Sequence, residues 1–138
     1  MFTLAITGFD DDPDHVTAVL GLTPTETGRK GEPNRSGRPR TLNGWWLEVH
    51  EATLTDGGQH AAVLNALLLL LRGKEEQFAN LRQLLKPVSV TVYGGLYHRA
   101  DQQCGVWLEP EQMQVLASCG MGWGLDVFGS GPAEEATA

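Results

Sequence analysis

Residues 2–22 read FTLAITGFDDDPDHVTAVLGL, and this stretch carries the signals of a strand followed by a helix. In FTLAIT the large apolar residues recur at every second position, which is the period of a strand with one buried face. Asp12 then suits a helix N-cap, Pro13 suits the first helical position, and Gly21 suits the residue that ends a helix. The stretch therefore predicts a strand followed closely by a short helix.

The rest of the chain continues this mixture of strands and helices. Further strands are predicted for TPTETG, GWWLEVHE, VSVTVYGGLY, CGVWLEP and GWGLDVFG, and helices for QHAAVLNALLLLLR, EEQFANLRQLLK and EPEQMQVLASCG. DPDHVTAVLGL near the start and EPEQMQVLASCGM near the end form a weak internal repeat. We expect an α+β two-layer sandwich of the ferredoxin-like class, with a mainly antiparallel sheet and its helices on one face.

Length and composition limit the class of protein. The 138 residues suit one domain, over residues 1–128, with residues 129–138 as a flexible tail. The net charge of −7 argues against nucleic acid or an anionic membrane as a partner and suits a basic one. The two cysteines, Cys104 and Cys119, are too few for a disulfide scaffold, so free thiols are expected. The N-terminus has no signal-peptide pattern, and we expect a cytoplasmic location.

Two adjacent tryptophans, Trp45 and Trp46, fall on opposite faces of their predicted strand, because side chains alternate along a strand. Trp45 shares its face with Leu47 and Val49, which predicts that it packs in the core. The opposite face of the sheet, which we call the polar face, mixes aromatic, acidic and hydroxyl side chains: Thr3, Thr7, Trp46, Glu48, His50, Ser89, Thr91, Tyr93, Trp107, Glu109, Asp126 and Phe128. Such a half-apolar surface is typical of an interface. A covering loop, a second subunit, and a ligand or partner protein are the three alternatives.

Basic residues are concentrated just before the tryptophans. The stretch from Lys30 to Leu42 has almost no apolar residue, which predicts an exposed loop. Together with Arg29 we call it the arginine loop. It holds half of the ten basic residues of the chain: Arg29, Lys30, Arg35, Arg38 and Arg40. Guanidinium groups bind phosphate and carboxylate groups and stack on tryptophan, here Trp46. The alternative is a solvated loop without a binding role.

Catalytic and metal-binding patterns are weak. DDDPD lacks the spacing of a calcium loop, and capping of the first helix explains its acidic residues. Glu48 and His50 lie two residues apart and form, with Asp126, a candidate acid–base cluster. The sequence contains no recognisable triad, phosphate-binding loop or zinc spacing. We therefore assign no catalytic residue, no metal ligand and no cofactor.

Three segments, DDDPDHVTAVLGLTPTETGRKG, GWWLEV and EPEQMQVLASCGMGWGLDVFG, together resemble the bacterial domain-of-unknown-function family 4279. The resemblance covers nearly the whole chain. It implies a small single-domain bacterial protein, and it supports the α+β fold and the cytoplasmic location. It transfers no activity and no catalytic residue.

These observations favour a non-enzymatic interaction or binding domain whose partner is another protein or a second copy of the chain. An immunity-type role, in which the acidic surface binds a basic toxin, is one form of this hypothesis. The alternative is an enzyme or small-ligand binder that acts on an anionic substrate through the arginine loop and the polar face. The candidate binding residues are Arg29, Lys30, Arg35, Arg38, Arg40, Trp46, Glu48, His50, Trp107 and Asp126.

Overall fold

The computed structural model describes residues 1–50, 60–86, 88–98 and 105–129. Its elements in chain order are β1 (Phe2–Thr7), α1 (Pro13–Leu20), β2 (Glu26–Gly28), β3 (Gly44–Val49), α2 (His60–Leu71), α3 (Glu75–Leu84), β4 (Ser89–His98), α4 (Pro110–Ser118) and β5 (Gly122–Gly129). The α+β class predicted from the sequence is confirmed. Apart from Gly129, the predicted tail lies outside the described residues, and so does Cys104.

The strands form one sheet with the order β2-β3-β1-β4-β5. Strand β1 pairs antiparallel with both β3 and β4, and β2 pairs antiparallel with β3, whereas β4 and β5 are parallel. Residues Phe2–Ile6 of β1 are all buried, although their side chains point alternately to the two faces. The first strand of the chain is therefore the centre of the sheet.

Two details of the predicted fold differ from the structure. Residues 105–109, which belong to the predicted strand CGVWLEP, form no strand. Among the described residues, only α4 then separates β4 from β5, and a helical crossover of this kind joins parallel neighbours. The sheet therefore contains one parallel pair, β4 and β5, and the ferredoxin-like assignment is not confirmed. The placement of all helices on one face stays a prediction.

Helix α1 begins and ends where the local signals predict. The carboxylate of Asp12, at the N-cap, accepts a hydrogen bond of 2.9 Å from the backbone N–H of Asp14. Pro13 occupies the first turn, where its missing N–H is not needed. Gly21 ends the helix with a φ of 66°, a left-handed conformation that suits glycine. This helix is therefore specified by residues within its own short stretch.

Helix α2 carries the leucine run and packs against the sheet and against α4. It contacts β1, β3 and α4. Leu67, Leu68 and Leu71 are buried in these contacts, whereas Leu69 and Leu70 remain exposed. Helix α2 therefore has more apolar surface than its contacts with the described residues bury.

A single core cluster joins apolar residues of the sheet to buried residues of all four helices. Trp45 is fully buried in it, and its indole N–H donates a hydrogen bond of 3.0 Å to the hydroxyl of Thr17 on α1. Trp46 is only half-buried, which confirms the predicted split of the tryptophan pair. Cys119 is a free thiol in the same core, and burial raises its pKa.

We expect Trp45→Ala to lower the free energy of unfolding by about 3–5 kcal/mol, because it leaves a cavity and removes the hydrogen bond to Thr17. Trp46→Ala is the matched change at the neighbouring, half-buried position and should cost clearly less. Urea unfolding of both variants measures the two losses. Equal losses would contradict the assignment of Trp45 alone to the core.

Candidate functional site

The polar face is assembled by the register of four strands. Thr3 of β1 lies opposite Glu48 of β3 on one side and opposite Tyr93 of β4 on the other. Glu26 of β2 lies opposite Trp46 of β3. Directly opposed residues share a face, so two carboxylates and two aromatic rings lie on the same side of the sheet.

The arginine loop connects β2 to β3 and folds back on itself like a hairpin. The backbone N–H of Gly31 donates to the carbonyl of Arg40 at 2.8 Å. Near the tip, the side-chain carbonyl of Asn34 accepts from the N–H groups of Ser36 and Arg38, both at 3.0 Å. Most of the loop is exposed, as predicted. Its own polar groups hold its shape.

Arg29 turns toward α1 and away from the polar face. Its guanidinium lies 2.9 Å from both carboxylate oxygens of Asp12. The pKa of Asp12 is lowered from its ordinary value, chiefly by the hydrogen bond from the N–H of Asp14 and next by the hydrogen bond from Arg29. The same carboxylate thus caps α1 and anchors the beginning of the arginine loop.

Arg35 and Arg40 turn back onto the acidic residues of the polar face. Arg40 lies 2.9 Å from one carboxylate oxygen of Glu26. Arg35 bridges the other oxygen of Glu26, at 3.1 Å, and a carboxylate oxygen of Glu48, at 3.3 Å. The positive charge of both arginines is therefore used within the protein.

Arg40 and Trp46 lie against a pair of glycines. The guanidinium carbon of Arg40 is 5.0 Å from the ring centroid of Trp46, which confirms that an arginine of the loop stacks on this indole. Gly28 and Gly44 are directly opposed in the β2–β3 pair. A Cβ on Gly28 would lie 2.2 Å from Nε of Arg40, and a Cβ on Gly44 would lie 2.1 Å from Cη2 of Trp46. A side chain at Gly28 would therefore displace Arg40, and one at Gly44 would displace Trp46.

An open pocket of about 310 Å³ lies between the arginine loop and the polar face. Its lining combines two carboxylates, two guanidinium groups and two aromatic rings with an amide and a hydroxyl: Glu26, Glu48, Arg35, Arg40, Trp46, Tyr93, Asn34 and Ser36. Side chains of this kind bind charged and hydrogen-bonding groups rather than an apolar ligand.

The candidate acid–base cluster is only partly assembled. Nε2 of His50 lies 3.1 Å from a carboxylate oxygen of Glu48. Asp126 is on β5, which β1 and β4 separate from β3. Three strand spacings of about 4.8 Å place it at least about 14 Å from Glu48. The expectation that Asp126 joins this cluster is therefore wrong, because the strand order keeps the two carboxylates apart.

The other predicted site residues fall into separate groups. Trp107 belongs to no strand and is largely exposed, so its assignment to the polar face is wrong. Lys30 and Arg38 are exposed and form no ion pair with a described residue. The residues predicted from the sequence do not include Glu26, although alternation along TETG places Glu26 and Gly28 on one face.

The acidic run DDDPD is explained without a metal ion. Within the described ranges, no group of three or more His, Cys, Asp or Glu side chains could hold one. Asp11 accepts a hydrogen bond from His15 at 2.7 Å, and Asp12 caps α1. In that same part of the chain, no helix is long and apolar enough to cross a membrane.

Fold and site together define a small α+β domain with a charged pocket between a loop and one face of its sheet. The chain belongs to the family described as a domain of unknown function (DUF4279), whose sequence model matches residues 1–129. Searches of curated proteins and of solved structures each found no match.

Gly44→Ala tests the packing of Trp46. The added methyl group meets the indole, so we expect a loss of about 1–3 kcal/mol in unfolding free energy. Gly95→Ala is the control, because a Cβ there lies 3.7 Å from its nearest neighbour, an ordinary contact. Urea unfolding compares the two variants. A Gly44→Ala protein as stable as Gly95→Ala would contradict the close approach of Trp46.

The lowered pKa of Asp12 predicts a pH-dependent contribution to stability. A carboxyl group whose pKa is lower in the folded chain stabilises the fold above its ordinary value, here 3.8, and this contribution is lost as the pH falls through the folded pKa. Asp12→Asn keeps a capping side chain but cannot ionise. The difference in Tm between the natural protein and this variant should therefore be larger at about pH 6 than at about pH 3. A difference that does not change with pH would contradict the role of the carboxylate charge.

Proposed function

We propose that this chain is a non-enzymatic interaction domain that binds a cationic side chain of a partner protein at the carboxylates of Glu26 and Glu48. These side chains are 24% and 10% exposed, and both belong to strands. Arg35, which bridges them, is 70% exposed and comes from the arginine loop. This contrast supports the proposal: the two carboxylates are enclosed and held by the sheet, and Arg35 is their solvent-exposed counter-ion, whereas Arg40, the second partner of Glu26, is only 14% exposed and stays in place.

Exchange of Arg35 for a cation of the partner avoids the main cost of opening such a site. It is costly to leave an enclosed carboxylate without a cationic partner, because its charge is then uncompensated. When another guanidinium or ammonium group replaces Arg35, the carboxylates of Glu26 and Glu48 remain paired. Because the side chain of Arg35 is 70% exposed, its ion pairs contribute only about 0–1 kcal/mol, so Arg35 is readily displaced.

Charge and aromatic content favour the same class of partner. The net charge of −7 attracts a basic protein and speeds its association. Trp46 and Tyr93 line the same pocket as the two carboxylates. A guanidinium group that enters the pocket can stack on an aromatic face while it pairs with an acid. The pocket therefore suits arginine better than lysine.

The alternative, an anionic ligand bound by the arginine loop, has less support. Arg29, Arg35 and Arg40 each pair with a carboxylate of the protein. An anion would have to compete with these carboxylates, and it would enter a pocket that Glu26 and Glu48 make partly acidic. The separation of Asp126 from Glu48 also leaves only Glu48 and His50 of the candidate acid–base cluster together.

Peptide binding by three variants tests the proposal. A blocked hexa-arginine peptide is titrated into the protein in low salt by calorimetry, with hexaglutamate as the peptide of opposite charge. Arg35→Ala removes the exposed counter-ion and should tighten hexa-arginine binding by up to about fivefold, because displacement of Arg35 costs at most about 1 kcal/mol. Glu48→Gln removes one carboxylate of the pair and should weaken binding by a similar factor.

Arg38→Ala is the matched control for net charge. It removes one positive charge from the same loop, but Arg38 pairs with no described carboxylate. Its effect on hexa-arginine binding should be small. Equal tightening by Arg35→Ala and Arg38→Ala would show a response to net charge alone and would contradict the proposal. Preferential binding of hexaglutamate would favour the anionic alternative.

A further inference from the structure

The two edges of the sheet differ in their protection against pairing with another strand. The edge strand β2 has three residues, and short edge strands resist such pairing. The opposite edge strand, β5, has eight residues and reads GWGLDVFG. It contains one charged residue and neither lysine nor proline, the residues that usually protect an edge. Its outer side pairs with no strand in the described part of the chain.

Apolar side chains of β5 also remain exposed on the face that elsewhere forms the core. Trp123 lies opposite buried Val92 and is partly buried. Farther along the same face, Leu125 is 37% exposed and Val127 is 55% exposed. Their neighbours on β4 are buried. On this face, the described residues therefore bury the side chains of β4 but leave those of β5 partly exposed.

We infer that β5 pairs antiparallel with β5 of a second copy of the chain, so that two sheets join into one across a twofold axis. The inference rests on the β5 edge alone and is independent of the pocket at Glu26 and Glu48. In a symmetric antiparallel pair, opposed residues share a face, so the axis must pass through a residue opposed to itself. The sequence of β5 decides which residue this is.

A register centred on Leu125 is self-complementary. It opposes Leu125 to its own copy, and it opposes Trp123 to Val127 of the other chain, so that the core face receives only apolar pairs. On the polar face it opposes Asp126 to Gly124. A register centred on Asp126 would instead oppose two carboxylates, which is unfavourable. One centred on Gly124 would use only part of the strand.

This arrangement places both pockets on the same side of the assembly. The twofold axis is perpendicular to the joined sheet, so the two polar faces point in one direction. The arginine loops lie beyond β2 and β3, at the edge far from β5. A dimer would thus present two separate pockets to one partner surface.

The oligomeric state of the full chain tests the inference. Sedimentation equilibrium over a wide range of concentration should show a monomer–dimer equilibrium. Val127→Lys places a charge on the exposed edge and should raise the dissociation constant by at least about tenfold. Leu69→Lys is the matched control on α2, because Leu69 is 54% exposed and Val127 is 55% exposed. It should leave the dissociation constant unchanged, and circular dichroism checks that both variants fold.

Cysteine cross-linking tests the register. Leu125→Cys places two thiols opposite each other, with Cβ atoms about 4.5–5.5 Å apart, close enough for a disulfide after a small adjustment. Asp126→Cys places them diagonally, about 7–8 Å apart, and should cross-link much less. A protein that is monomeric at all concentrations overturns the inference, as does dissociation by Leu69→Lys but not by Val127→Lys. Preferential cross-linking at residue 126 overturns the register.

Discussion

Burial of β1 between β3 and β4 is the constraint on which the rest of the structure depends. Every residue from Phe2 to Ile6 is buried, so both faces of the sheet must be covered at its centre. Phe2 shows how closely other strands are fitted to β1. Its ring stacks on Trp123 of β5 at 5.7 Å, and a Cβ on Gly94 of β4 would lie 2.3 Å from it. A side chain of β1 thus packs directly on β5, across the glycine of the strand between them.

The same constraint explains why an acidic protein gathers half of its basic residues beside two tryptophans. The polar face above β1 carries Glu26, Glu48 and Trp46. Arg35 and Arg40 neutralise these acids, and Arg40 also covers the indole. Of the three alternatives for this face, the contacts support cover by the loop. Arg40 is largely buried and keeps the loop on this face, whereas Arg35 is exposed and can be displaced, which is the basis of the proposed binding role.

Local features of the chain could be predicted because their causes lie close together in sequence. The ends of α1 follow from hydrogen bonds and backbone conformations at Asp12, Pro13 and Gly21. The different environments of Trp45 and Trp46 follow from alternation along one strand. The polar, apolar-poor composition of the arginine loop predicted its exposure. In each case the interaction involves residues only a few positions apart.

Strand order, and with it the composition of the site, was decided by the tertiary structure. Alternation placed Glu48 and Asp126 on one face, but only the order β3-β1-β4-β5 separates them. VWL has the apolar character of a strand, yet Trp107 is in none, and β4 and β5 pair in parallel. The sequence by itself determined the ends of α1, the opposite faces of Trp45 and Trp46, and the exposed loop. Which strands are neighbours, and which acid each arginine meets, depends on contacts between distant segments that no local pattern records.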